Sequence, residues 1–267
     1  MWGLDQEFVG SAGTLLDAMM STEPGPKSRA AIAAAQVQER KADLEARRTG
    51  DPGKLFLLSS SDADVQSLTD AVAADGSAAT KNLLHEFAES RAIYHLNAEG
   101  SPDSNRVRAE LLKRHFLADY SALQTHVSDP RVLLKFGDYN MGKGFSSLHQ
   151  RDLGNFVAEL ADGQGVQSLH ILVLGARGTH AGFAGYMKPL VQQPFVITDD
   201  PDYKWLAPAV AALLPQQAGS PGKTYTLFDL RKLRFRGIDF SGDWERIVYS
   251  YDLFIFIPEL TPAATIE

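Results

Sequence analysis

The sequence predicts an α/β protein: a mostly parallel sheet flanked by helices, with a helix-rich first half. Three observations predict it. After Pro130, short apolar runs at 132–136, 169–174, 195–197, 225–228 and 253–257 are interspersed with helical stretches at 152–161 and 203–214. Near-continuous apolar strands alternating with helices belong to sheets covered on both faces, which are mostly parallel. Before Pro130, the chain is rich in helix formers and carries at most one strand. Finally, 267 residues at 44% hydrophobic and 22% charged are ample for a real core. One α/β domain is expected over 1–267, with a helical excursion at about 21–128.

The elements follow in order. Trp2, Leu4, Phe8 and Val9 read as core residues at the very start, where a chain is usually polar and loose. The expectation is therefore an N-terminal truncation. A short helix at 15–20 is broken by Glu23-Pro24-Gly25-Pro26. Residues 27–48 are dominated by Ala, Gln, Glu, Lys and Arg, all good helix formers, and stop at Gly50-Asp51-Pro52-Gly53. Ser60-Ser61-Asp62 caps the next helix, to about Ala74. In the helix at 80–98, Leu83, Leu84, Phe87, Ala88, Arg91 and Tyr94 recur at three-to-four spacing. Pro102-Asp103-Ser104 opens another at 105–126, with a stripe of Val107, Leu111, Leu112, Phe116 and Tyr120.

The totals narrow the function. The net charge is -7, and the densest cationic stretch, 230–237 (LRKLRFRG), carries four cations and reads as a solvated edge. No nucleic-acid partner is expected, because that needs a strongly basic face. There is no cysteine, which excludes disulfides, thiolate metal sites and cysteine nucleophiles. No run of about 18 apolar residues exists, so no membrane partner is expected. The first eight residues lack a basic leader, and a cytoplasmic location is the default. GxGxxG, Walker A, G-x-S-x-G and HExxH patterns are all missing. No cofactor is assigned, and the oligomeric state is left open.

Chemistry is expected in 131–154, RVLLKFGDYNMGKGFSSLHQRDLG. A five-residue run, VLLKF, stops at Gly137 and reads as a buried strand. Ligands in α/β sheets bind beyond the carboxyl ends of strands. Asp138 and Asn140 stand there, with binding and turn roles both open. Asp152 is better read as a helix cap than as a ligand. His180, in the Gly-rich stretch 178–182, offers a proton donor after another strand. A Gly-rich surface turn is the stronger reading of it.

These residues bear a resemblance. The strand 132–136, the loop Gly137-Asp138-Tyr139-Asn140, Gly142-Lys143-Gly144, the helix entry Asp152-Leu153-Gly154 and the closing strand 251–258 resemble the second half of the erythromycin esterase-like family. That family lies within the wider haem-binding uptake/Tiki superfamily. The helix bearing Arg108 and the opening Trp2-Gly3-Leu4-Asp5-Gln6-Glu7 also fit. The resemblance implies ester hydrolysis by water activated by a His–Glu pair. Two departures stand out. The family's Gly-Glu-x-x-His motif has no counterpart, since no Gly-Glu pair occurs in the sequence. The family's later His is replaced by Asn140, whose amide orients but cannot relay a proton. Of the matched functional positions, only Arg108 keeps its residue type.

The expectation is a truncated or degenerate member with a polar small-molecule cleft and little or no hydrolysis. The binding candidates are Arg108, Asp138, Asn140, His180 and Glu7. The alternatives are an active ester hydrolase, completed by a missing N-terminal segment, and a structural or interaction protein.

Overall fold

In the computed structural model, which describes residues 1–182, 184, 185, 188, 190–218, 225–240 and 242–262, the chain divides into two compact units. One is Met1–Pro130 with Gly185–Lys188, and the other is Arg131–Ala184 with Pro189–Glu267.

The first unit is helical. Its elements are α1 (Ala12–Ser21), α2 (Pro26–Thr49), α3 (Phe56–Ser59), α4 (Asp62–Asp75), α5 (Ala78–Ala98) and α6 (Asp103–Gln124). The ends are set by local chemistry. Pro26 opens α2, where its missing N–H costs nothing, and Gly50 closes it at φ 69°. The Asp75 carboxylate accepts from the N–H groups of Lys27 and Ser28 at 2.8 and 2.9 Å. This satisfies two donors that α2 itself leaves unpaired. Ser61 and Ser77 cap α4 and α5 through their hydroxyls. Leu16, Met19, Ile32, Leu57, Val72 and Phe87 close the core between α1 and α5.

The second unit carries α7 (Asp138–Met141), α8 (Leu153–Gly163), α9 (Ala207–Ala218) and α10 (Asp243–Ser250). Its strands are β1 (Ile171–Gly182), β2 (Val191–Val196), β3 (Thr226–Asp229) and β4 (Leu253–Leu260), in the order β2-β1-β4-β3. The expectation of a mostly parallel sheet is corrected. Among the described residues only β1 and β4 pair in parallel, while β1–β2 and β3–β4 are antiparallel. Apolar runs mark strands but carry no direction. On β1, buried Leu172 and Ala176 alternate with exposed Ile171 and Val173, the one-sided pattern of antiparallel and mixed sheets. The face bearing Leu172, Phe254 and Phe256 packs on Leu206, Val210 and Ile247. The architecture is α/β, with one mixed four-stranded sheet and flanking helices.

The run 132–136 is a second correction, because it is not part of the sheet. It is extended, with Leu133 94% exposed beside exposed Lys135. Val132, Leu134 and Phe136 turn inward by alternation alone. The run is one-faced, whereas a strand buried on both faces needs apolar residues at every position.

Candidate functional site

In the first unit, 4–7 form an irregular segment, with a bend at Asp5, fastened by side chains of α5 and α6 instead of by a neighbouring strand. His115 Nδ1 lies 3.0 Å from the Leu4 carbonyl oxygen. The Glu7 N–H donates to Ser90 Oγ, and Tyr94 donates its hydroxyl to the Glu7 carbonyl, each at 2.9 Å. Trp2 meets the Phe116 ring edge-on, 6.2 Å between centroids. Glu7 is thus anchored through its backbone.

Arg108 projects from α6 onto Asp5 and grips both carboxylate oxygens, Nε at 2.8 Å from Oδ1 and Nη2 on Oδ2. Burial alone would raise the Asp5 carboxyl. The Arg108 hydrogen bonds and charge, with the Gln6 N–H, outweigh it and hold the carboxyl below its ordinary value. The folded state therefore gains from this pair above the unfolded carboxyl pKa, about 3.9. The gain fades as pH falls through the lower folded value. Both side chains are more than a third exposed, so solvent screens the pair. We expect Asp5→Asn to cost about 0.5–1 kcal/mol at pH 7 and progressively less as pH falls below the ordinary carboxyl range, read by urea unfolding across that range.

Beside this pair lies a cavity of about 110 Å³ lined by Gln6, Ile93, Tyr94, Asn97, Ser104, Asn105 and Arg108. Gln6 Oε1 is buried and has no hydrogen-bond partner among the described residues. A buried acceptor left unpaired costs about 1–3 kcal/mol, so a bound donor would be favoured. A larger hollow of about 440 Å³ is lined by Pro24, Pro26, Arg29, Ala30 and Ala33. It offers one polar side chain, too few to orient a ligand.

In the second unit, Asp138 and Asn140 share the single turn of α7. Tyr203 donates to Asp138 Oδ2 at 2.8 Å, and Tyr251 donates to the Asp138 carbonyl at 2.5 Å. Tyr139 donates to Asp202 at 2.7 Å, a bond that, with burial, pushes its phenol up to about 12. Burial, and then the Asp138 charge, also raise Tyr203 and Tyr251. All three phenols stay protonated at neutral pH and act as donors. Asn140 donates its amide to Asp152 Oδ2 at 3.1 Å, while Asp152 Oδ1 accepts from the Leu153 N–H at the start of α8. Asp152 is a cap, as its position predicts.

Below this turn, Asp252 is the hub of an ion network. Lys143 Nζ reaches its two oxygens at 2.7 and 2.8 Å, Arg234 reaches Oδ1 at 3.3 Å, and the His170 N–H donates at 2.9 Å. Burial opposes the Asp252 charge, and Lys143, the His170 N–H and Arg234 more than offset it, so its carboxyl is lowered. His170 is pushed down chiefly by burial. Neutral at pH 7, it donates Nδ1–H to the Met141 carbonyl at 2.7 Å, and Nε2 accepts from the Ser168 hydroxyl at 3.2 Å. Both nitrogens are engaged.

This cluster meets the amino ends of β1 and β4, since His170 and Asp252 immediately precede those strands. The expectation of a loop beyond a carboxyl end is therefore reversed. His180 lies ten residues along from His170, about 30 Å at strand rise. There its ring stacks on Phe195, 5.4 Å between centroids, on the β1–β2 hairpin. Within this unit, Asp138 and Asn140 come together and His180 stands apart. Asp5, Gln6, Asp252 and Tyr203 went unforeseen. Arg234, inside the stretch read as a solvated edge, is held by Asp252 and by the carbonyls of Val248 and Tyr251.

A helix-rich α/β chain with a mixed sheet and a polar turn at its edge is similar in fold to a solved structure of erythromycin esterase EreC, a mutant with one histidine changed to asparagine, in its open conformation. The likeness covers 96% of this chain and 68% of that one, with a TM-score of 0.52 and 11% sequence identity. At that identity it speaks for the fold alone. No protein-family model matches the sequence, and no curated protein matches it.

Proposed function

We propose that this chain is a divergent erythromycin esterase-like protein that binds a small polar ligand and has little or no hydrolytic activity. The observation that carries the reading is the pairing of the residues left at the matched positions. Arg108 is neutralised by Asp5, and the Asn140 amide is spent on Asp152. Neither can take a proton from water near neutral pH, which general-base hydrolysis requires. Binding is assigned to the cavity at Gln6 and Arg108. A cavity of about 150 Å³ accepts benzene. One of about 110 Å³ therefore seats a hydroxyl- or amide-bearing fragment of about five heavy atoms, its donor on Gln6 Oε1.

The test pairs two measurements on the full chain. Turnover of erythromycin and of p-nitrophenyl esters should stay at the buffer rate. Small polyols and amides should raise the melting temperature, and Gln6→Leu should abolish that rise. Ester turnover that disappears in Asn140→Ala would overturn the reading, as would an absence of stabilisation by any polyol or amide.

A further inference from the structure

A second cluster in the helical unit takes no part in that cavity. Glu86 and Glu89 stand three residues apart on α5, which places both carboxylates on one face. His115 comes from α6, the neighbour of α5 across a short turn. One donor atom from each of the three lies within 4.8 Å of the other two. The His115 Nε2–Glu86 Oε2 separation is 3.2 Å. Tetrahedral zinc holds nitrogen and carboxylate oxygen at about 2.0–2.2 Å, which sets ligand atoms about 3.3–3.5 Å apart.

Two observations outside the trio point the same way. His115 Nδ1 lies 3.0 Å from the Leu4 carbonyl, which accepts its N–H. With Nδ1 held by that carbonyl, Nε2 is the ring nitrogen that faces the carboxylates. A backbone carbonyl on the far nitrogen is also the usual way in which a metal-binding histidine is oriented. Second, Glu89 Oε2 is buried and has no hydrogen-bond partner among the described residues. His85 Nε2, one turn earlier on α5, stands 3.1 Å from it and forms an ion pair with it when protonated. Arg114 holds the other oxygen, Oε1. That contact orients the carboxylate, as outer partners of a ligating carboxylate do. The three side chains are 18–33% exposed, so an ion has a route in.

We propose that Glu86, Glu89 and His115 form a site for one divalent transition-metal ion, with zinc the best fit to an imidazole and two carboxylates. The ion ties α5 to α6 and, through His115, holds the segment at Leu4. The rival occupant is a proton, which would make His115 an imidazolium paired with Glu86.

The full chain, stripped with a chelator and dialysed, is titrated with Zn²⁺ by calorimetry and with Co²⁺ by visible absorption. One ion per chain is expected, with cobalt d–d bands and a rise in melting temperature. Glu86→Gln, which keeps the shape of the side chain, should weaken binding by about 100-fold, at the upper end of what even outer-shell changes cost. Glu89→Gln is the second variant, should His115→Gln lose the Leu4 anchor and unfold. No binding by calorimetry and no cobalt spectrum would leave the proton as occupant and overturn the proposal. Zinc binding unchanged in both glutamate variants would place the ion elsewhere and overturn it too.

Discussion

Asp252→Ala is expected to lower the unfolding free energy by about 3 kcal/mol, measured by urea denaturation at pH 7. The Asp252 side chain is 4% exposed and serves Lys143, Arg234 and the His170 N–H together. Its removal leaves two cations and a backbone donor facing a cavity. The cost lies at the lower end of the range for broken buried pairs because Lys143 is 27% exposed and regains hydration. Asp252→Asn, which keeps an acceptor for the His170 N–H, should cost less. The pH dependence separates charge from packing. The depressed Asp252 pKa contributes stability above the ordinary carboxyl value, about 3.9, and loses it as pH falls through the folded value. His170, also depressed, begins to cost stability below its unfolded value, about 6.5. The wild-type acid limb should thus have two parts, and Asp252→Asn should shrink the lower one, to which Asp5 also contributes. Superimposable acid limbs would show that the network contributes nothing through its charge.

Gly154→Ala is expected to destabilise by about 2 kcal/mol, although alanine is the better helix former. A Cβ at Gly154 would stand 2.3 Å from the backbone C and O of Met141. Helix propensity returns about 1 kcal/mol, while overpacking against backbone that cannot rotate aside costs about 3 kcal/mol. A Cβ at Gly163, in the same helix, would meet no atom within 4 Å, so Gly163→Ala should be neutral or slightly stabilising. Equal effects at the two positions would refute the close approach of α8 to α7. Displacing Met141 would also break its carbonyl bond from His170, visible as a change in the His170 ring resonances.

Much of the helical unit was legible. Three-to-four spacing and end signals such as Pro26, Gly50 and Ser61 act over one turn, so a local reading finds them. Four of the five strands expected after Pro130 exist, at nearly the expected places. Their directions were not legible, because an apolar run has the same composition whichever way it runs. The fifth, 132–136, failed because Leu133 and Lys135 face outward while their neighbours face in. The candidate site was half legible. Asp138, Asn140 and Asp152 could be picked out as polar residues at element ends, and Arg108 through the family resemblance. Their partners could not, since Arg108 meets Asp5 across 103 residues and Lys143 meets Asp252 across 109. Nothing local in a sequence records such pairings.

The segment at Leu4–Glu7 also has a consequence for register. A strand in a sheet is held at every second residue, so a slip breaks many bonds at once. Here three side chains, on Ser90, Tyr94 and His115, pin the backbone at two residues. A shift along its axis would release all three pins together, carrying Asp5 off Arg108. The segment is thus a single cooperative latch, and its amides should exchange with solvent as a group, ahead of those in the core helices.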